Sequence, residues 1–188
     1  HCRQMFNWEE RSKVRDMGGG KVRTAGVAMA MQGSCISNVD VGSATLKLSE
    51  DGTYNLIIGA ADMGTGCDTI LAQMVAELMD CHVDDVAVFG ADTDVSPYDS
   101  GSYASSTTYI TGMAVVKACN ELKKQICSIA AGMMKCEEDE VEFASTCVRR
   151  TGTEQSVSLT DIAYKVQVNN TTPAETTQTH TSPVSPPP

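Results

Sequence analysis

A glycine-rich turn between an apolar strand pattern and an amphipathic helix pattern is the feature that most constrains this chain. The turn, Gly59–Thr69 (GAADMGTGCDT), directly follows the short β-favouring run Tyr54–Ile58. After it, apolar residues recur at helical spacing: Ile70, Leu71, Met74, Val75, Leu78 and Met79. The sequence therefore predicts a strand, a tight turn and a helix from about Cys67 to Met79.

The composition of this turn is that of an anion-binding loop. Glycines such as Gly64 and Gly66 allow positive φ or close approach of the backbone to a ligand, and the first free N–H groups of a helix would face the same point. A phosphate or another compact anionic group would fit such a turn. The alternative is plain turn chemistry, in which Asp68 and Thr69 serve as cap or dipole partners.

The flanking sequence predicts further strands. Ser43–Leu48 and Tyr54–Ile58 are strand-like runs, and Asp51-Gly52 between them is a strong hairpin signal. Val86–Phe89, after the predicted helix, is another short apolar run. Strand, helix and strand together predict a crossover unit.

The remaining elements follow from simpler patterns. Gln4–Arg15 predicts a short helix that ends at the glycines of positions 18–20, and Ala25–Met31 is a continuous apolar run typical of a strand buried on both faces. Phe143–Arg150 and Ser156–Leu159 predict short strands, and a brief helix follows as far as Ala163. A second long helix is indicated by one apolar stripe: Val115, Cys119, Leu122, Ile126 and Ile129. We predict an α+β fold in which two main helices pack on a mixed sheet that contains the hairpin.

A second helix start also suits a ligand. The loop Asp92–Thr108 has no apolar rhythm, and loops of this length inside compact domains are usually functional or disordered. Its end, Tyr103–Thr108, places four hydroxyl groups at the cap and first turn of the long helix. These hydroxyls either cap the helix or share its free N–H groups with a ligand.

Charge and cysteine usage narrow the class of protein. The net charge of −10 argues against nucleic acid or an anionic membrane as a partner, because phosphate groups require a basic surface. Eight cysteines without a C-x-x-C pair and three separated histidines predict no metal cluster. Cys81, Cys119 and Cys127 lie in or beside apolar helical patterns, which favours reduced thiols and a cytoplasmic setting.

Composition divides the chain into three expected segments. Residues 1–20 form an N-terminal helix and glycine linker, residues 21–168 the main domain, and residues 169–188 a Thr/Pro-rich extended segment. The last segment has almost no aliphatic residues, which is typical of a linker or disordered tail. Because the chain begins without Met and stops at three prolines, we expect a piece of a longer protein.

Three stretches resemble the molybdenum-cofactor-binding subunit of the xanthine dehydrogenase and aldehyde oxidase family. They are residues 32–44 (QGSCISNVDVGSA), the Gly59–Thr69 turn and Gly101–Gly112 (GSYASSTTYITG). The resemblance runs from about Val22 to the C-terminus and implies part of a molybdopterin-binding domain. Ser182–Pro188 resembles a stretch where the family chain continues into another strand, so the tail is alternatively a strand without its neighbours.

The resemblance implies a set of cofactor contacts. In the family, the two loops that match the glycine-rich turn and the start of the long helix hold the molybdenum-pterin dinucleotide. The implied contacts here are Gly64, Thr65, Gly66, Ala104, Ser105 and Thr107. Such a ligand needs N–H donors and hydroxyls, and we expect no competing carboxylate close by. Thr65 stands where the family more often has Gln, and its shorter hydroxyl reaches less far.

The resemblance also implies what the parent protein does. It would hydroxylate a purine-type heteroaromatic ring or an aldehyde with oxygen from water and pass electrons to iron–sulfur clusters. These clusters, and FAD where the parent uses it, would be bound by other domains or subunits. The implied partners are the remainder of the molybdenum subunit and those iron–sulfur and flavin components. No residue here matches the family's glutamate base, so we predict no catalytic residue and a fragment that is inactive alone.

Two other classes compete with this interpretation. One is a non-catalytic α+β interaction domain whose Gly and Ser/Thr turns are purely structural. The other is a different phosphate-binding fold, although no Gly-Lys-Ser/Thr follows the glycines.

Overall fold

The computed structural model describes residues 1–168 and 174–183. The chain divides into two compact units, His1–Gln32 and Gly33–Pro188. The segment boundaries that we expect after residues 20 and 168 remain predictions.

The N-terminal unit is built from short elements. It contains helices α1 (Cys2–Met5) and α2 (Trp8–Arg11) and a two-stranded antiparallel sheet of β1 (Arg15–Asp16) and β2 (Val22–Arg23). The single helix predicted over Gln4–Arg15 is therefore wrong. Asn7 interrupts it with a left-handed backbone, at a φ of 53°.

The apolar run of this unit is not a strand. Ala25–Met31 has no regular secondary structure, and Met29 and Met31 are 95% and 98% exposed. A strand buried on both faces requires long neighbouring strands and two covering layers. The described part of this unit has only two-residue strands, so the prediction of a buried strand is wrong.

The larger unit holds the remaining helices and strands. In chain order they are β3 (Val41–Leu48), β4 (Tyr54–Ile58), α3 (Cys67–Met79), β5 (Val86–Gly90), α4 (Thr107–Met134), β6 (Val141–Ala144), β7 (Cys147–Arg150), β8 (Ser156–Ser158), α5 (Leu159–Val168) and β9 (Glu175–Thr181). Short 3-10 helices precede β5 and β6, at Val83–Asp85 and Glu138–Glu140.

The main sheet is mixed. Its strand order is β5-β4-β3-β9; β4 and β5 run parallel, whereas β3 is antiparallel to both β4 and β9. The predicted hairpin, the strand–helix–strand unit and the helix over Cys67–Met79 are thereby confirmed.

Helices α3 and α4 pack against each other and against this sheet. Ala44, Leu46 and Leu48 of β3 and Leu56 of its neighbour are at most 5% exposed, as alternation on a half-covered sheet requires. From α4 the predicted stripe enters the same core at Val115, Cys119, Leu122 and Ile126. Each large aliphatic side chain buried in this way contributes about 1.5–3 kcal/mol. The α+β prediction is confirmed.

A smaller antiparallel sheet of β6, β7 and β8 packs on α4 together with α5. The predicted strand Phe143–Arg150 is in fact the end of β6, a turn and β7, because Ser145 has a left-handed backbone with a φ of 46°. The helix expected to end at Ala163 continues to Val168.

The C-terminal strand β9 corrects the interpretation of the tail. Glu175–Thr181 pairs with β3 over seven residues, so the linker interpretation is wrong for this segment and the strand has its neighbour within this chain. Hydroxyl pairs join the two strands: Ser43 Oγ lies 2.9 Å from Thr179 Oγ1, and Thr45 Oγ1 lies 2.7 Å from Thr177 Oγ1. The rest of the predicted tail, residues 169–173 and 184–188, lies outside the described residues.

All eight cysteines are free in the structure, and the expectation of a reducing setting remains a prediction. Over residues 1–168 and 174–183, no helix combines the length and apolarity needed to cross a membrane.

Candidate functional site

The turn between β4 and α3, residues 59–66 and here called the glycine turn, has the backbone that its glycines predict. Gly64 and Gly66 have φ values of 97° and 73°, in the region that favours glycine. Gly66 is also the residue that precedes the first turn of α3. A Cβ atom at either glycine would meet nothing within 4 Å, so the surface of the turn is open.

A carboxylate occupies the N–H groups of the glycine turn. Asp62 Oδ1 accepts hydrogen bonds from Gly64 N at 2.8 Å and from Gly66 N at 3.1 Å. These backbone donors, with Gly64 the larger contributor, hold the pKa of the exposed Asp62 carboxyl below its usual range. The expectation that no carboxylate competes at this site is therefore wrong.

The second turn, residues 101–107 and here called the serine turn, begins α4. Ala104 and Ser105 have φ values of 51° and 54°. This left-handed backbone costs roughly 1–2 kcal/mol for a residue with a Cβ atom. Strain of this kind persists only where the surroundings hold it, and it clusters at ligand sites.

The hydroxyl next to α4 does not cap the helix. Ser106, the N-cap residue, is 3% exposed, and its Oγ donates to Tyr103 O at 2.7 Å instead of accepting from a helical N–H group. The sequence left helix capping as the alternative to ligand binding, and the Ser106 side chain does not cap α4. Thr107 is half-buried and Ser105 is exposed.

The two turns lie side by side. Ser102 Oγ donates to Ala61 O at 2.9 Å, which joins the serine turn to the glycine turn. A Cβ atom at Gly59 would collide with Pro97 O and would lie 2.8 Å from Asp99 Cβ, so the long loop packs directly on the glycine turn. Two ligand-suited helix starts that are separate in sequence thus become neighbours.

Hydrogen bonds fix the long loop to the body of the domain. Asp99 accepts from Gly101 N at 2.8 Å through one oxygen and from Thr111 Oγ1 at 2.9 Å through the other. Ser100 N donates to Val41 O at 2.9 Å, which ties the loop to β3. The loop is therefore a supported element and not a free connection.

A third stretch supports the serine turn from behind. Cys35 N donates to Ala104 O at 3.0 Å, and Ser182 Oγ donates to Cys35 O at 3.1 Å. Nearby, the fully buried Asp40 accepts from Ile36 N at 2.8 Å through Oδ2. The three stretches that resemble the family in sequence therefore converge on one region.

The structure thus brings all six predicted contact residues to this region, on two adjacent turns. The sequence places Asp62 nearest to the glycine turn, but its bonds to Gly64 N and Gly66 N were not predicted, and neither were the contributions of Asp99 and Cys35 to the serine turn. A signal for the two aspartates exists, because Asp side chains commonly accept from the backbone N–H group two residues later, and both stand two residues before a glycine.

The same region groups three potential metal-binding side chains. One oxygen or sulfur atom each of Asp62, Cys67 and Asp68 lies within 4.8 Å of the others. However, burial and the adjacent Asp68 raise the pKa of the Cys67 thiol to about 11, and its Sγ donates to Asp68 Oδ1 at 3.5 Å. The Cys67 thiol is therefore protonated at neutral pH and is bonded to Asp68.

Known proteins are similar to this chain in sequence, and solved structures are similar to it in fold. The family model of the molybdopterin cofactor-binding domain matches residues 1–187. Probable hypoxanthine oxidase XdhD of Escherichia coli K12 is 37% identical over 163 residues, which cover 87% of this chain and 17% of XdhD. The xanthine dehydrogenase molybdenum-binding subunit of Escherichia coli O157:H7 is 38% identical over 139 residues, which cover 70% of this chain and 18% of that subunit.

A solved structure agrees with these matches. The Cu,Mo-CO dehydrogenase superposes with a TM-score of 0.68 at 25% sequence identity, covering 74% of this chain and 18% of the dehydrogenase chain. This chain spans less than a fifth of the length of each of these proteins. On its fold, its two adjacent turns and these matches, the chain belongs to the molybdopterin cofactor-binding domain family that includes the molybdenum-binding subunits of xanthine dehydrogenases.

Proposed function

We propose that this chain supplies part of the cofactor site of a molybdenum hydroxylase, and that its two adjacent turns hold the molybdenum-pterin dinucleotide. The proposed contacts are those implied by the sequence: Gly64, Thr65, Gly66, Ala104, Ser105 and Thr107. The family model and the convergence of the two turns support this assignment.

The observation that carries the proposal is the bonding of Asp62. Its carboxylate oxygen demonstrates that the N–H groups of Gly64 and Gly66 converge on one anionic oxygen atom. The same geometry suits a phosphate oxygen, because both acceptors prefer charge-assisted N–H donors. The donor set of this turn therefore fits the anionic portion of a pterin dinucleotide.

Each turn has a distinct task in this proposal. The glycine turn has two backbone N–H groups that converge on one anionic oxygen, and Thr65 adds an exposed hydroxyl. The serine turn offers the exposed Ser105 hydroxyl and the uncapped start of the 28-residue helix α4, whose dipole favours an anion. The cofactor supplies the redox chemistry when bound, and this chain binds and orients it.

We propose that the parent protein is an oxidoreductase of the xanthine or aldehyde type, in the cytoplasm. The residues that would act as its base, its iron–sulfur clusters and any FAD belong to other parts of that protein or to partner subunits. The substrate is a purine or an aldehyde.

The test uses the full-length parent purified from its own host. Its molybdenum content is measured, together with the fluorescence of the pterin after release and oxidation. Near-stoichiometric metal and pterin are expected in the parent, and both should fall at least about tenfold in Gly64→Asp and Ser105→Asp variants, because each adds a negative charge beside the phosphate oxygens.

Gly152→Asp is the matched control. Gly152 lies in the turn before β8 with a φ of 74° and open space around its Cβ position, so the substitution adds the same charge and similar backbone strain away from the site. The control should keep metal and pterin. The proposal would be wrong if a folded parent contained neither molybdenum nor pterin, or if Gly152→Asp lost as much of both as the site variants. The two turns would then be structural features of an interaction domain.

A further inference from the structure

The glycine turn is closed by its own side chain. Asp62 lies within the turn, is exposed to solvent, and uses one oxygen to accept from both Gly64 N and Gly66 N. These are the donors that the proposed function assigns to the cofactor. One pair of N–H groups cannot fully satisfy the Asp62 carboxylate and a ligand oxygen at the same time.

We propose that Asp62 is a built-in competitor for the cofactor at the glycine turn, and that its side chain must leave Gly64 N and Gly66 N when an anionic ligand binds. This inference rests on the proposed function. It assigns Asp62 a role toward the ligand in addition to its role in the turn.

Electrostatics favour displacement over sharing. A phosphate oxygen placed against the two N–H groups would lie within a few ångströms of the Asp62 carboxylate, and like charges at such distances repel. The Asp62 side chain is already exposed, so water can solvate its carboxylate when the two hydrogen bonds break. Rotation of the Asp62 side chain away from the turn relieves the repulsion and frees both donors.

Neighbouring groups do not perform the same task. Asp68, in the first turn of α3, accepts from the Cys67 thiol at 3.5 Å and packs against Gly90. These contacts lie at the start of α3 and the end of β5, away from the hydrogen bonds that Asp62 makes with Gly64 N and Gly66 N. Asp62 is the carboxylate whose bonds the ligand would replace.

The competition has a consequence for ligand choice. Two charge-assisted bonds hold Asp62, so a weak monoanion gains little by exchanging with it. A polyanion such as pyrophosphate exchanges favourably, since it can also use the start of α4. Asp62 therefore keeps the turn formed in the absence of ligand and favours multiply charged ligands over simple anions.

The test uses inorganic pyrophosphate as the probe and the 188-residue chain, which is the protein described above. Affinity is measured by titration calorimetry, and the backbone amide shifts of Gly64 and Gly66 locate the binding. The variants are Asp62→Asn and Asp62→Ala. Both should bind pyrophosphate at least about tenfold more tightly than the natural chain, as expected when the two charge-assisted bonds of Asp62 no longer have to be broken.

Asp51→Asn is the matched control. Asp51 is an exposed aspartate that accepts from Thr53 N at 3.0 Å in the β3–β4 turn, so its substitution removes the same charge from the same kind of turn. It should leave pyrophosphate affinity within about twofold of the natural chain, because Asp51 precedes β4 whereas the glycine turn follows the other end of that strand, and exposed charges are screened by salt.

The outcomes separate this inference from the function on which it rests. If pyrophosphate binds the natural chain at these amides as tightly as it binds the two Asp62 variants, or if Asp62→Ala binds more weakly, Asp62 only supports the turn and the inference fails while the site stands. If pyrophosphate moves the Gly64 and Gly66 amides in none of the chains, the proposed anion site fails, and the inference fails with it.

Discussion

At the scale of single residues, aspartates that accept from their own backbone shape both turns of the site. Asp62 binds Gly64 N, and Asp99 binds Gly101 N, each at 2.8 Å. The same spacing recurs in the N-terminal unit, where Asp16 binds Gly18 N. An Asp two residues before a glycine is thus the local signal that fixes where these turns form.

The acid titration of Asp62 is a direct prediction. The N–H groups of Gly64 and Gly66 lower the pKa of this carboxyl from its usual value of 3.8. A lowered pKa in the folded state contributes stability that is present above the unfolded pKa and is lost as the pH falls through the folded pKa. The turn should therefore remain closed from neutral pH down to below pH 3.8 and open only in stronger acid.

Two-dimensional NMR checks this titration. The amide shifts of Gly64 and Gly66 should follow one midpoint below 3.8, and this transition should vanish in Asp62→Asn. A midpoint at or above 3.8, or a transition that persists in the variant, would contradict the bonds assigned to Asp62.

At the scale of elements, periodic segments could be predicted and aperiodic ones could not. Helix α3 has the predicted bounds, because its apolar residues repeat over three turns and Gly66, with a positive φ, marks its start. Ala25–Met31 has apolar composition without a period, and nothing local distinguishes a buried strand from an exposed segment. Strand β9 reads as polar, yet β-branched threonines suit a strand whose neighbour is distant in sequence.

The site followed the same rule. Its two turns were predictable, since glycines and hydroxyls stand at helix starts. Their adjacency was not, because the Ser102–Ala61 bond links residues 41 apart in sequence and depends on how the long loop packs against Gly59. The bond of Asp62 to Gly64 N has a local signal, but its second bond, to Gly66 N, depends on the path of the whole turn.

The contact between β3 and α4 gives a prediction for packing. A Cβ atom at Gly42 would lie 2.6 Å from Thr111 Oγ1 and 2.8 Å from Thr111 Cα. Because the second atom is backbone, a rotamer change cannot relieve the collision. Gly42→Ala should lower the free energy of unfolding by about 1–3 kcal/mol.

Gly132→Ala, in the same helix α4, should have the opposite effect on stability. Gly132 is exposed near the end of α4, and a Cβ atom there would meet nothing within 4 Å. This substitution should raise the free energy of unfolding by up to about 1 kcal/mol, because alanine is the better helix former. Urea unfolding of both variants measures the difference; equal effects would show that α4 does not pack on β3 as described.

At the scale of the whole molecule, the chain is a member of the molybdopterin cofactor-binding domain family and matches only part of each relative. It spans less than a fifth of the length of the relatives that it matches. The net charge of −10 also gives it no general attraction for anions, so binding depends on local N–H groups such as those of the glycine turn.

The last prediction follows from the small share of its relatives that this chain covers. The 188-residue chain should show no reduction of an artificial electron acceptor with hypoxanthine or an aldehyde as substrate, whereas the full-length parent should show it. The reason is chemical: the chain has donors that hold an anion, but its carboxylates near the turns are engaged, Asp62 by Gly64 N and Asp99 by Thr111 Oγ1. We therefore expect the base beside the substrate to lie elsewhere in the parent.

Anaerobic assays with a redox dye test this prediction, and the parent variants supply the controls. Gly64→Asp should abolish dye reduction together with bound pterin, and Gly152→Asp should retain both. Turnover by the 188-residue chain would mean that one of its own carboxylates serves as the base. Loss of activity in Gly64→Asp with full pterin content would instead place the glycine turn at the substrate, because the cofactor would then be held without it.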